Sequence, residues 1–291
     1  MWTWILSASG MLVAVTSLAL ASESRIGGWI TLGNRQFRYV ISSDGWNVAF
    51  QSLVTGEDYL RKDAESRCAS VVQDGKKHDV SSVQLEGDRL ILGFDKAGVK
   101  CRVRFESKPW AVVLSVEDFQ GRAEAVTFLD LPLALCGAPS ERFGACALAL
   151  NLRTRVDSLP VLQTHLRASA EKTFGIAGAK VAIVGGRVSD MLRFLQDTIS
   201  NASELPVCRV AGPWSREVAF NRGSYLFNFG SLTETNVDDW VGMVRRVGFD
   251  QIDNHGGGAF FRFGDFELDR EKWPDGWDGF ARIVARLRDA G

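Results

Sequence analysis

The chain has 291 residues, 46% of them apolar and 24% charged, with 34 Lys and Arg against 35 Asp and Glu for a net charge of −1. This is the composition of a folded protein, and it excludes a disordered tail, a collagen-like fibre and a multi-span membrane protein. The balanced charge offers no broad basic field for nucleic acid.

The first 21 residues carry no charged side chain, and Ala19-Leu20-Ala21 is a small-residue cleavage pattern followed by a polar stretch. This predicts a secretory signal cut after Ala21 and a secreted or periplasmic protein, with no membrane contact after cleavage. An uncleaved amino-terminal anchor is the competing reading, because the apolar stretch is about long enough to span a bilayer. Five cysteines follow (Cys68, Cys101, Cys136, Cys146 and Cys208), an odd number that cannot all pair internally. Export permits a disulfide, with Cys136 and Cys146 the closest pair in sequence, but buried free thiols are expected for most of them. The cysteine spacing matches no metal motif, and His78, His165 and His255 are far apart. No metal site and no cofactor are expected.

Residues 29–133 repeat with period two. Phe37, Tyr39 and Ile41 alternate with polar or less apolar neighbours, as do Cys101, Val103 and Phe105, then Trp110, Val112, Leu114 and Val116. Turn signals punctuate the pattern: Ser43-Asp44-Gly45, Asp74-Gly75, Glu86-Gly87-Asp88 and residues 95–98. Short alternating strands between Gly and Asp turns predict an antiparallel β-sandwich, because one face of each strand meets the core and the other meets water. The region 133–173 adds further, less regular strands. At residues 190–199 the period becomes helical, with Met191, Leu192, Leu195 and Ile199 on one face and Ser189 as N-cap. A connector with Pro206 and Pro213 follows.

After Trp214 strands and helices alternate. Residues 224–229 form a strand, and Thr235 or Asn236 caps a helix whose stripe is Val237, Trp240, Val241, Val244 and Val247, ended by Gly248. Residues 249–253 form a second strand. A long loop then leads to a terminal helix with its stripe at Trp277, Phe280, Ile283, Val284 and Leu287. This β-α-β-loop-α order predicts parallel strands joined by a crossover.

Asp253, Asn254 and His255 stand at the end of that second strand, and strand carboxyl ends face the active site in a β/α barrel. Carboxylate and amide neighbours can bind adjacent sugar hydroxyls, which both donate and accept. The rings of Phe260, Phe261, Phe266 and Trp273 can cover the C–H face of a sugar, or pack the loop. Asp253 can equally form a turn at a strand end, and His255 can be polar surface. Glu234 lines the same cleft or lies on the surface before the first helix.

The motifs Asp253-Asn254-His255-Gly256, Gly264-Asp265-Phe266 and Trp273-Pro274-Asp275-Gly276 resemble those of α-galactosidase-type (melibiase, clan D-like) glycoside hydrolases. That family typically shows Asp-Asp-Gly-Trp after the second barrel strand, then Gly-Asp-Trp, then Phe-Pro-x-Gly. The strand Tyr225-Leu226-Phe227-Asn228 fits as well, and the upstream sandwich resembles the galactose-mutarotase-like supersandwich. Asn254 stands where the family has a second aspartate. The resemblance implies a multidomain protein: a signal peptide (1–21), an antiparallel β-supersandwich (22–188), a helix and linker (189–213), and the first two β/α units of an incomplete (β/α)8 TIM barrel (214–291). It implies a carbohydrate substrate, an oligo- or polysaccharide, with Asp253, Asn254, Asp265 and Phe266 as substrate-binding residues.

The implied chemistry is retaining hydrolysis by two carboxylates about 5 Å apart. In the resembled family these lie on the fourth and sixth strands. A whole barrel takes about 250 residues, so the catalytic pair is expected beyond residue 291 and this fragment is expected to be inactive. Two other readings stay open: a non-catalytic secreted carbohydrate-binding β-sandwich, and a secreted sandwich used for assembly.

Overall fold

The computed structural model describes residues 28–63, 66–138, 140–157, 164–208, 212, 218, 223–254 and 267–291. The expected signal peptide lies outside the described residues. The chain divides into two compact units between Val207 and Cys208.

The first unit is built of strands. In chain order they are β1 (Trp29–Gly33), β2 (Phe37–Ser42), β3 (Asn47–Ser52), β4 (Ser70–Gln73), β5 (Lys76–Asp79), β6 (Ser82–Glu86), β7 (Arg89–Phe94), β8 (Val99–Ser107), β9 (Ala111–Gln120), β10 (Ala125–Pro132), β11 (Phe143–Ala149), β12 (Arg155–Val156), β13 (His165–Glu171) and β14 (Lys180–Arg187). Helix α1 (Val188–Ala202) follows. They form a three-stranded sheet β1-β2-β3, a five-stranded sheet β12-β13-β10-β4-β5 and a six-stranded sheet β11-β14-β9-β8-β7-β6. Every pairing in these three sheets is antiparallel. The expected turn signals sit between strands. Asp74 and Gly75 take positive φ values of 50° and 70° at the β4–β5 hairpin, the geometry of a two-residue hairpin turn.

The alternation along β8 is carried into the core: Cys101, Val103 and Phe105 are buried and join Phe37, Tyr39, Ile41 and Phe50 in one apolar cluster shared by the sheets. In β9 and β14 the pattern departs from the expected alternation, because both faces of the sheet are covered. Val112, Leu114, Val181 and Ile183 face the main cluster, whereas Ala111, Val113, Ala182 and Val184 form a second one with Phe194 of α1. Trp110 precedes β9 and packs at the edge of that second cluster.

Helix α1 differs from expectation at both its cap and its stripe. It starts at Val188 with Arg187 at the N-cap position and no side-chain cap, so Ser189 does not cap it. Phe194, Thr198 and Ile199 are its buried residues, while Leu192 is exposed. The helix approaches the sheet closely at a glycine. A Cβ on Gly186 would lie 2.5 Å from Cε2 of Phe194, so any larger residue there collides with the ring.

Cys68, Cys101, Cys136 and Cys146 are free thiols, the first two buried, Cys136 exposed and Cys146 intermediate; Cys208 is intermediate in exposure. Among the described residues no helix is long and apolar enough to cross a membrane.

The second unit holds strand β15 (Tyr225–Asn228), helix α2 (Val237–Val247), strand β16 (Gln251–Asn254) and helix α3 (Trp277–Asp289). β15 and β16 pair in parallel, as a crossover through α2 requires. Leu232, Val237, Leu268, Trp273 and Ile283 form the core, with Trp240, Val241, Phe280 and Leu287 packed against it. Three members of the expected stripes, Val247, Trp277 and Val284, are exposed. Gly248 ends α2 at φ 76°, its N–H donating to the Val244 carbonyl. Asn236 occupies the N-cap position of α2 without capping it. Its Oδ1 accepts from the Thr233 N–H instead, and its Nδ2 donates to the Ser231 carbonyl, so the side chain braces the preceding loop.

Candidate functional site

The register of the parallel pair decides which side chains share a face. Phe227 stands opposite Asp253, and Asn228 opposite Asn254. Because side chains alternate along a strand, Tyr225, Phe227 and Asp253 lie on one face, and Leu226, Asn228, Ile252 and Asn254 lie on the other.

The two faces differ in character. Asp253 is exposed. Beside it runs an aromatic row: the rings of Tyr225 and Phe227 are 5.8 Å apart, and those of Phe227 and Phe229 are 5.2 Å apart. Tyr225 is 52% and Phe229 73% exposed, so a carboxylate and a run of rings share an accessible face. On the opposite face Asn228 is only 2% exposed. Its Oδ1 accepts from the Gly230 N–H at 2.8 Å, and its Nδ2 donates to Asn254 Oδ1 at 2.7 Å. The structure therefore brings Asn254 to Asn228 and turns Asp253 the other way.

Of the four expected binding residues, Asp253 and Asn254 are placed in this way. Asp265 and Phe266 lie outside the described residues, as do His255, Phe260 and Phe261. Trp273 does not offer its ring to a ligand: it is buried at 2% exposure in the core of the unit, 5.5 Å from the Phe280 ring. Of the two roles open to it, packing is the one observed.

Glu234 is committed to an ion-pair cluster. Its carboxylate takes hydrogen bonds from Nε and Nη2 of Arg282, which also reaches Asp275. Arg286 donates to the Glu234 carbonyl at 2.6 Å and pairs with Asp238. The Arg282 hydrogen bonds hold the Glu234 carboxyl below its ordinary value. A group so held serves as a tether for the loop after β15 rather than as a proton donor.

At the amino-terminal ends of the strands, Ser224 N–H donates to Asp250 Oδ2 at 3.1 Å and Asp250 N–H to the Ser224 carbonyl at 3.0 Å. Asp250 thus fastens the sheet at the end away from Asp253. A cavity of about 270 Å³ lies near this end, lined by Val241, Val244, Phe249, Ile252 and Leu287 among others. It is apart from the carboxylate and the aromatic row.

The first unit contains a separate polar cluster. Asp130 of β10 is 7% exposed. Its carboxylate meets His165 Nε2 and accepts from Arg167 Nη2 at 3.4 Å, both on the neighbouring strand β13. Arg167 also pairs with Asp157 at 3.2 Å. Burial pushes the Asp130 carboxyl up, but the His165 hydrogen bond and the charge of Arg167 outweigh it and hold the group below its ordinary value. Among the described residues no group of three or more His, Cys, Asp or Glu side chains could hold a metal ion.

Sequence reading missed Asn228 as a site residue. The available signal was a lone asparagine closing the apolar strand Tyr-Leu-Phe-Asn, but its partner lies 26 residues away and only the register joins them.

No family model matches the chain, and no curated protein does. Among solved structures it is similar to the GH36 α-galactosidase AgaA of Geobacillus stearothermophilus. Identity is 12%, covering 89% of this chain and 55% of that one, at a TM-score of 0.40. A doubly substituted form of that enzyme in complex with raffinose gives 11% identity and a TM-score of 0.39 over the same shares. The α-galactosidase from Lactobacillus brevis gives 10% identity and 0.39, covering 89% and 53%. The chain spans about half the length of these enzymes. A galactose mutarotase related enzyme from Lactobacillus acidophilus gives 12% identity and a TM-score of 0.22, covering 49% and 62%.

Proposed function

We propose that the protein is a carbohydrate-binding part of a glycoside hydrolase, in which the second unit supplies the first two β/α units of a TIM barrel and the first unit is its sandwich domain. One observation carries the reading: Asp253 stands exposed at the carboxyl end of β16, on the same face as the aromatic row of β15. A carboxylate accepts hydroxyl protons, and aromatic rings cover the apolar C–H face of a pyranose. Strand carboxyl ends are where barrel enzymes hold substrate. The motif resemblance of residues 253–276 supports the same assignment.

Under this reading Asp253, Asn254, Asp265 and Phe266 contact sugar. The retaining pair of carboxylates, about 5 Å apart, comes from β/α units other than these two. The reading also carries export by a signal cut after Ala21, and amino-terminal sequencing of exported protein should then begin at Ser22.

Calorimetric titration of the full chain with a panel of α- and β-galactosides and glucosides tests the proposal. At least one should bind, and Asp253→Ala should weaken it about tenfold or more, roughly 1.4 kcal/mol. Asp253 is exposed, so the variant's stability should stay within about 0.5 kcal/mol of the parent. Binding that survives Asp253→Ala, or that is reproduced by residues 22–212 alone, would place the sugar on the sandwich instead.

A further inference from the structure

A group that cannot change its role fixes the polarity of the two asparagines at the strand ends. The backbone N–H of Gly230 is a donor, and it points at the Asn228 side chain. The atom it meets must be the amide oxygen. The other arm of that planar amide is therefore Nδ2, which faces Asn254 at 2.7 Å. An NH2 group needs an acceptor, so the Asn254 atom opposite is Oδ1. Asn254 is left with Nδ2 unengaged by hydrogen bonds among the described residues. Inverting either amide would press N–H against N–H at Asn228, which is nearly fully buried, and leave buried donors without acceptors.

We infer that Asn228 is a positioning residue that holds Asn254 Oδ1 inward and so presents its Nδ2, the donor arm, to a ligand. The inference rests on the carbohydrate reading of Asp253 and Asn254 and narrows it. Asp253 offers an acceptor on one face, and Asn254 offers a donor on the other. Side chains on opposite faces can meet one ligand only at the carboxyl end of the strand, so the matching ligand is a neutral sugar seated across the end of β16, with one hydroxyl donating a hydrogen bond to Asp253. A second oxygen accepts a hydrogen bond from Asn254 Nδ2, and that oxygen needs no proton of its own. A uronate is disfavoured, because its negative charge meets the Asp253 carboxylate. Where an aspartate in place of Asn254 would demand a hydroxyl proton, Asn254 accepts an ether or ring oxygen equally well.

Side-chain amide hydrogen exchange on the uniformly 15N-labelled full chain tests the orientation without any ligand. The Asn228 Nδ2 protons should exchange about tenfold or more slower than those of Asn254, the ratio expected for roughly 1.4 kcal/mol of protection. In Asn228→Asp one carboxylate oxygen still accepts from Gly230 and the other faces Asn254. Asn254 must then turn and offer Nδ2 inward, so its protons become the protected pair. In Asn254→Ala, a milder change, the Asn228 protons should lose their protection. A purely structural role for Asn228 predicts loss of stability without this exchange of protection. Protected Asn254 protons in the parent, or an unchanged pattern in both variants, overturns the inference.

Titration with monodeoxy and monodeoxyfluoro derivatives of the sugar that binds supplies the ligand readout. At one ring position fluorine, which accepts weakly and cannot donate, should be tolerated about tenfold better than hydrogen, and Asn228→Asp should abolish the difference. Equal loss for fluorine and hydrogen at every position overturns the ligand assignment. If no sugar binds while the exchange pattern holds, the carbohydrate reading fails and the amide orientation stands.

Discussion

Arg282 on helix α3 reaches the carboxylate of Glu234, 48 residues earlier in the chain, through both Nε and Nη2. The contact joins the loop after β15 to the helix that closes the unit, and Asp275 shares the same guanidinium. All three side chains are solvent-accessible, so salt should screen the cluster. In Arg282→Ala the backbone amides of residues 231–236 should exchange faster with solvent, and 1 M salt should move the parent part of the way there. Arg288→Ala, whose side chain is 79% exposed, should leave the loop unchanged. Hydrogen exchange read by mass spectrometry distinguishes the two.

Gly186 and Phe194 give a packing prediction. A side chain at Gly186 collides with the ring of Phe194, so Gly186→Val should cost about 1–3 kcal/mol through overpacking. Phe194→Ala should cost about 3–5 kcal/mol. The double variant should be more stable than the sum of the two losses implies, because the cavity left by the ring receives the new side chain. Urea denaturation of the four proteins measures the coupling.

Asp130 sets an acid limit on the first unit. Its carboxyl in the folded protein lies below the ordinary value of 3.8, so just below that value the unfolded chain binds more protons than the folded one. The group's stabilising contribution is present above pH 3.8 and is lost as pH falls through the folded value. Asp130→Asn should therefore be less stable than the parent at neutral pH, by about 1.5–3 kcal/mol for a lost charge-assisted hydrogen bond. The two stability curves should converge below about pH 4. Melting temperatures across pH 3–7 test this; parallel curves would remove Asp130 from the account.

The cysteines should separate by reactivity. Burial pushes the Cys68, Cys101 and Cys146 thiols up to about 12, so they carry almost no thiolate at neutral pH. Cys136 is exposed. Native alkylation should modify Cys136 well ahead of those three, and peptide mapping after a short pulse reads the order.

Legibility in the sequence followed the number of faces that each element buries. β8 could be read directly, since Cys101, Val103 and Phe105 are buried while Arg102 and Arg104 are exposed. The runs Ala111 to Leu114 and Val181 to Val184 could not, because the main core covers one face and α1 the other. The two caps differ from expectation for different reasons: the Asn236 side chain braces the loop before its helix, and Ser189 lies within α1, which starts one residue earlier at Val188. The exposed carboxylate at the end of β16 was legible as Asp253. The partnership of Asn228 with Asn254 was not, since it arises only once two strands lie in register. Trp273 read equally well as a ligand-facing or a packing ring, and composition cannot distinguish burial in a core from burial under a sugar.

Strand β14 sits between β11 and β9 and supplies neighbours to both. Its partner residues on β9, Ala111 to Ser115, leave the ribosome some seventy residues earlier. Until Lys180–Arg187 emerges, β9 lacks one neighbour and, among the described residues, β11 has none in that sheet. The largest sheet is therefore completed late in synthesis, and its apolar strands wait with open edges. Nascent chains stalled before residue 180 should depend on a holding chaperone, and those released after α1 should not.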